Sequence, residues 1–418
     1  GTRVLGTIPE ELLSARAGGG SRPSPAPPVL SKRAAALLRV PVHSSPYVGP
    51  PRPFRVGAPA LHEFPMETWG RIAHRRWAKT SEAALDYGDP QGTPRLRRAI
   101  AGYLRTARGV DAAPEQVLVL SSAQQALDLV ARVLLDPGDA LWMEDPGYPG
   151  ARGAFVASGA RLVPIPVDEE GLDVAKGEQL APKARLAYVT PSHQFPLGAT
   201  MSLPRRLRLL EWAHRAKAWI VEDDYDSEFR YVDRPLAALQ GLDTHGRVLY
   251  AGTFSKVLFP SLRLAYLVLP PSLVGAFRAA RYFSDGQPPA ASQAVVTAFI
   301  EEGHFERHIR RMRVLCAERQ KALVTTCARH LAGLLHVAPA DGGMNLVGWL
   351  PEGSDDRAAA EAAARNEVEV IPLSALSRRR TKRPGLFLGY SAFRPREIEE
   401  GALRLRDALL SLRRHATG

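Results

Sequence analysis

The chain has 418 residues, 55 of them Lys or Arg against 43 Asp or Glu, for a formal charge of +12. Its length asks for two domains, or one large domain with an appendage. No apolar run reaches the length of a bilayer span, and only two cysteines occur, Cys316 and Cys327, neither in a CxxC or Cys/His cluster. A disulfide framework and a zinc site are thus excluded as organising principles, and a reducing cytoplasm fits. The basic excess lies on scattered helical stretches such as "RRLRLL" and "HIRRMR", and no nucleic-acid-binding motif is legible within the chain.

Residues 1–53 are rich in Gly, Pro, Ala and Ser, which predicts a linker or arm with one short helix near "SKRAAALLR". Folded sequence is expected from Phe54. "TPRLRRAIAGYLRTAR" reads as an amphipathic helix, "QVLVL" as a buried strand, and "SAQQALDLVARVLL" as the next helix. The strand "ALWME", the helix "GARGAFVASGA" and the strand "RLVPIPV" follow, then "RLAYVT", the helix "PRRLRLLEWAHRAK", and the strands "AWIVED", "RVLYAG" and "LAYLVL". Seven short apolar strands alternating with helices predict a mainly parallel α/β sheet covered on both faces. The stretch 293–331 reads as one long helix bridging two lobes, and the remainder as a smaller α+β domain. The expected division is a linker over 1–53, a large domain over 54–290, and the bridging helix with the small domain over 291–418.

In an open α/β sheet, ligands bind at the carboxyl ends of the strands. After "VLVL" come Ser122, Ala123 and Gln124, opening a helix whose free N–H groups suit an anion, although Ser122 alone is equally an ordinary cap. After "AWIVE" stands Asp223, followed by Asp224 and Tyr225; after "ALWMEDPG" stands Tyr148; after "RVLYAGTFS" stands Lys256, with Arg263 seven residues on. An anion cup, a carboxylate, an aromatic face, an amine and a second cation at one sheet edge are what pyridoxal 5'-phosphate requires. Such a lysine must be neutral to react, and burial and a neighbouring cation such as Arg263 are expected to lower its pKa. Because strand neighbours alternate faces, Glu222 and Asp224 are expected to point away from Asp223.

The phrases "YGDPQGTPRLRRAIAGYL", "EDPGYPGAR", "TPSHQFPLGATMS", "VEDDYDSEFRY", "TFSKVLFPSLRLAY" and "HIRRMR" resemble fold-type-I aminotransferases. More closely, they resemble the aminotransferase-like domain of MocR-type (GabR-like) bacterial transcription regulators of the GntR family. The resemblance implies that Lys256 carries the cofactor, Asp223 pairs with its pyridine nitrogen, Tyr225 meets its ring oxygen, and Tyr148 stacks on the ring. It further implies that Ser122, Ala123, Gln124, Ser255 and Arg263 hold the phosphate. Tyr87 resembles the tyrosine that reaches the neighbouring subunit's phosphate, which implies a homodimer.

Several positions depart from catalytic aminotransferases. Phe195-Pro-Leu-Gly stands where these read Asn-Pro-x-Gly, Ser122 replaces a common glycine, and Phe387 occupies the place of the arginine that grips a substrate carboxylate. Arg394 lies seven residues on and reads as a solvated loop residue, and Gly150 stands where GABA-sensing members carry arginine. "GTRV" before the Pro-rich stretch resembles the end of a winged-helix wing, implying a DNA-binding domain outside this chain. Three readings follow: an effector-sensing or PLP-sensing regulator domain, a free-standing aminotransferase, and a scaffold that has lost the cofactor.

Overall fold

The computed structural model describes residues 30–40, 49, 51–231, 237–379 and 383–416. Most of the expected linker, including "GTRV", lies outside the described residues. The short helix forms as Lys32–Leu37, capped by the Ser31 hydroxyl, which accepts from Ala34 N at 3.2 Å.

The seven apolar runs form β1 (Val117–Leu120), β2 (Ala140–Asp145), β3 (Arg161–Asp168), β5 (Leu186–Val189), β6 (Trp219–Asp224), β7 (Val248–Thr253) and β8 (Ala265–Val268). A two-residue strand missing from the seven-stranded expectation, β4 (Gly171–Leu172), pairs antiparallel with the end of β3 and makes the sheet eight-stranded. It is too short to carry a periodic signal. The order is β1-β8-β7-β6-β5-β2-β3-β4, parallel from β7 to β3, with β8 antiparallel to both neighbours. Alternate residues of each strand enter separate cores: Leu118 and Leu120 pack with Tyr188 and Val221 on one face, Val117 and Val119 with Tyr250 and Tyr266 on the other.

The expected single helix over 293–331 is instead two, Ala290–Glu301 and His304–His330. Gly303 separates them in the left-handed region, at φ 72°, which ends the first helix whatever the apolar pattern beyond it. The second helix joins β9 (His336–Val337), β10 (Asn345–Trp349), β11 (Ile371–Pro372) and β12 (Gly385–Gly389), an antiparallel sheet ordered β11-β12-β10-β9. The core of this small lobe includes Met312, Cys316, Leu323, Leu388 and Leu405, and also Phe54 from the start of the folded chain. Cys316 and Cys327 are buried free thiols. No helix among the described residues is long and apolar enough to cross a membrane.

Candidate cofactor site at the strand tips

Strand register gathers the predicted anion cup. Leu120 of β1 and Thr253 of β7 both pair with Ala265 of β8, so Ser122, Ser255 and Arg263 each lie two residues beyond the same row. The Ser122 hydroxyl caps the Ala123–Leu134 helix by accepting from Gln125 N at 3.1 Å. The Gln124 side chain is turned to the Gly150 carbonyl, at 2.9 Å, and leaves only its backbone for a ligand. Arg263 adopts φ 53° and is exposed, and its guanidinium has no partner among the described residues.

One strand over, Asp223 pairs with Ala251 and accepts from the Tyr188 hydroxyl at 2.7 Å. Burial pushes its carboxyl up to about 6, against the Tyr188 bond, with Asp224 and Asp226 adding repulsion. The neighbouring acids turn to the opposite face, as alternation requires. Glu222 accepts from Leu239 N and Gln240 N at 2.8 Å each, and Asp224 takes Arg108 Nε at 2.8 Å with the Tyr250 hydroxyl.

The Lys256 side chain is half-buried and its amine donates to the Gly57 carbonyl at 2.9 Å. Gly57 N in turn donates to Asn345 Oδ1 at 2.7 Å. A Cβ on Gly57 would stand 2.7 Å from Lys256 Nζ, and its φ is 68°, so only glycine fits here. Burial is the largest influence on the amine and lowers its pKa, while the carboxylates of Asp226 and Asp223 oppose it. The expected contribution of Arg263 is therefore corrected: desolvation, not a neighbouring cation, depresses this lysine.

Tyr148 packs edge-on to Phe195, centroids 5.5 Å apart, and burial first, then Asp223, raises its phenol to about 12. Tyr225 meets the other side of Phe195 at 6.1 Å, and its hydroxyl lies 3.1 Å from His193 Nδ1. A Cβ on Gly150 would come within 2.4 Å of the Tyr148 ring, so an arginine at that position is incompatible with this tyrosine placement. Phe387 is 1% exposed and packs with Val347, Leu373 and Leu376 against Phe195, so the corner is apolar. Arg394 is exposed, matching its reading as a loop arginine. Tyr87 is 93% exposed in the single chain and stands apart from this cluster.

Sequence reasoning missed four contributors: Tyr188, His193, Asp226 and Glu144. Glu144 accepts from Thr190 N, Thr190 Oγ1 and Gln194 Nε2, and burial lifts it to about 7 despite these bonds. The amine, the buried carboxylate one strand over, the flanking aromatics and the Arg263 guanidinium, set beyond the same strand row as Ser122, fit pyridoxal 5'-phosphate.

The sequence profile of the family "Aminotransferase class I and II" matches residues 56–382. The "Probable rhizopine catabolism regulatory protein MocR" of Rhizobium meliloti is 42% identical over 98% of this chain and 81% of its own length. The "HTH-type transcriptional regulator TauR" of Rhodobacter capsulatus is 34% identical over 85% of this chain and 73% of its own. Among solved structures, the alpha-aminoadipate aminotransferase LysN of Thermus thermophilus superposes with a TM-score of 0.80 at 30% identity, covering 91% of this chain and 95% of that one. The chain belongs to the class I and II aminotransferase family, on its branch of MocR-type transcription regulators, and pyridoxal 5'-phosphate is the cofactor of that fold.

Proposed function

We propose that this chain is the effector-sensing and dimerisation domain of its regulator, and that Lys256 is the residue to which the cofactor is joined. The observation that carries this reading is the position of the Lys256 amine, just beyond β7 beside the β6 tip that bears Asp223 and held at 2.9 Å on the Gly57 carbonyl, where burial lowers its pKa. The cofactor supplies an electrophilic aldehyde that captures amines. Asp223 faces the pyridine nitrogen, held by Tyr188. Tyr148 and Tyr225 flank the ring. The phosphate rests on the N–H groups of Ala123 and Gln124, with Ser122, Ser255 and Arg263 around it. Tyr87 reaches the phosphate of a second copy. DNA is contacted by a winged-helix domain outside this sequence, and an amino compound or PLP itself is the signal.

The regulator reading is favoured over turnover because Phe387 leaves an apolar corner where an arginine would grip an α-carboxylate. The chain loaded with excess PLP should show a visible absorbance band, and borohydride should fix a cofactor-sized mass on the peptide containing Lys256. Lys256→Ala should lose both. A colourless, unlabelled chain would sink the assignment. Rapid conversion of common α-amino acids to keto acids would instead favour the enzyme.

A further inference from the structure

Phe195 stands where aminotransferases carry the Asn whose amide contacts the cofactor's ring oxygen, and here its ring packs edge to face with Tyr225, centroids 6.1 Å apart. The hydroxyl is met instead by His193. His193 Nδ1 lies 3.1 Å from Tyr225 Oη and 3.0 and 3.2 Å from the two oxygens of Asp226. The imidazole is nearly buried, and the Asp226 carboxylate is 1% exposed. The slot is cut to the ring: a Cβ on Gly343 would stand 2.2 Å from His193 Cε1, and one on Gly198 3.2 Å from Nε2. The ring is therefore gripped from the small lobe and from its own loop.

We propose that Asp226 and His193 form a positioning pair that replaces the missing amide and aims the Tyr225 proton into the cofactor pocket. Two carboxylate oxygens beside Nδ1 require a proton on that nitrogen, whether the ring is neutral or charged. An Nδ1–H held by the carboxylate cannot accept, so the Tyr225 O–H is not spent on His193 and is left to donate elsewhere. The groups acting on the imidazole are Asp226, Tyr225 and Arg230, all just beyond β6, while Gly343 and Gly198 add no charge. Burial opposes the charged ring, but the attraction and hydrogen bond of Asp226 outweigh it and raise its pKa.

The inference rests on PLP occupying the pocket, and the test separates the two. The pH titration of the visible band is compared in four proteins: unaltered, His193→Leu, His193→Leu with Phe195→Asn, and Asp226→Asn. Losing a donor to the cofactor oxygen should raise the midpoint by about one pH unit in His193→Leu, and the added amide should reverse most of that. In Asp226→Asn the midpoint should also rise. Removing a charge that stabilises protonated Lys256 would by itself lower it, so a fall there overturns the proposal. An unchanged midpoint in His193→Leu with cofactor bound does the same. Should His193→Leu not fold, His193→Gln and Asp226→Asn carry the comparison. In cofactor-free protein, the His193 imidazole signal should titrate at lower pH in Asp226→Asn, and an unmoved signal counts against the pair. A missing band in the unaltered chain strikes the cofactor assignment itself.

Discussion

Glu228 has one oxygen bonded to Tyr103 at 3.2 Å and the other buried without a partner among the described residues. Burial first, then Asp224, raises its carboxyl to about 7, and Glu144, Glu222 and Asp223 are raised to about 7, 7 and 6. Raised acids hold protons in the fold that the unfolded chain releases. Their contribution is fully present below their ordinary values and is lost as pH climbs through about 7. Glu228→Gln keeps the Tyr103 bond and removes one such loss. In cofactor-free protein its unfolding free energy from urea titration should match the parent at pH 5 and exceed it at pH 8 by on the order of 2 kcal/mol. Equal profiles at both pH values would refute this. Lys256 and Asp223 were legible because each follows an apolar strand inside a distinctive phrase. Tyr188, His193 and Asp226 were not, since their roles depend on partners 32 to 35 residues away across strands.

Elements that carry a long apolar pattern were read well, and those defined by a single backbone angle were not. All seven long strands stand where alternation and apolar runs put them, whereas β4 has too few residues to register. The break at Gly303 was invisible because hydrophobic spacing continues on both sides of it. Nothing lies near a Cβ built there, so Gly303→Ala tests the angle alone and should cost about 1 kcal/mol in thermal or urea unfolding. A harsher case is Arg206, fully buried on the Leu203–Ala216 helix. Its guanidinium donates to the carbonyls of Met201, Ala237 and Pro191 at 3.0, 2.7 and 2.9 Å. It ties the loop bearing His193 to the segment between β6 and β7. Arg206→Leu should destabilise by about 3 kcal/mol or more, by stranding three carbonyls. A stable variant with unaltered cofactor binding would show that the loop is held by other means.

At the scale of the whole molecule, Leu85, Tyr87, Tyr282 and Phe283 present large apolar side chains to solvent, from 61% to 93% exposed. Patches of this kind mark association surfaces. If a second copy covers them, Phe283→Asp should halve the sedimenting mass and weaken cofactor retention together. A mass unchanged from the parent would remove this surface from the dimer. The tie from Lys256 through Gly57 to Asn345 has a different consequence. The large domain's amine donates to a backbone carbonyl of the entering segment, which is itself fastened to the first residue of β10. Joining that amine to an aldehyde would leave at most one N–H on it, so cofactor attachment and the anchorage of β10 would compete for the same short stretch of backbone at Gly57.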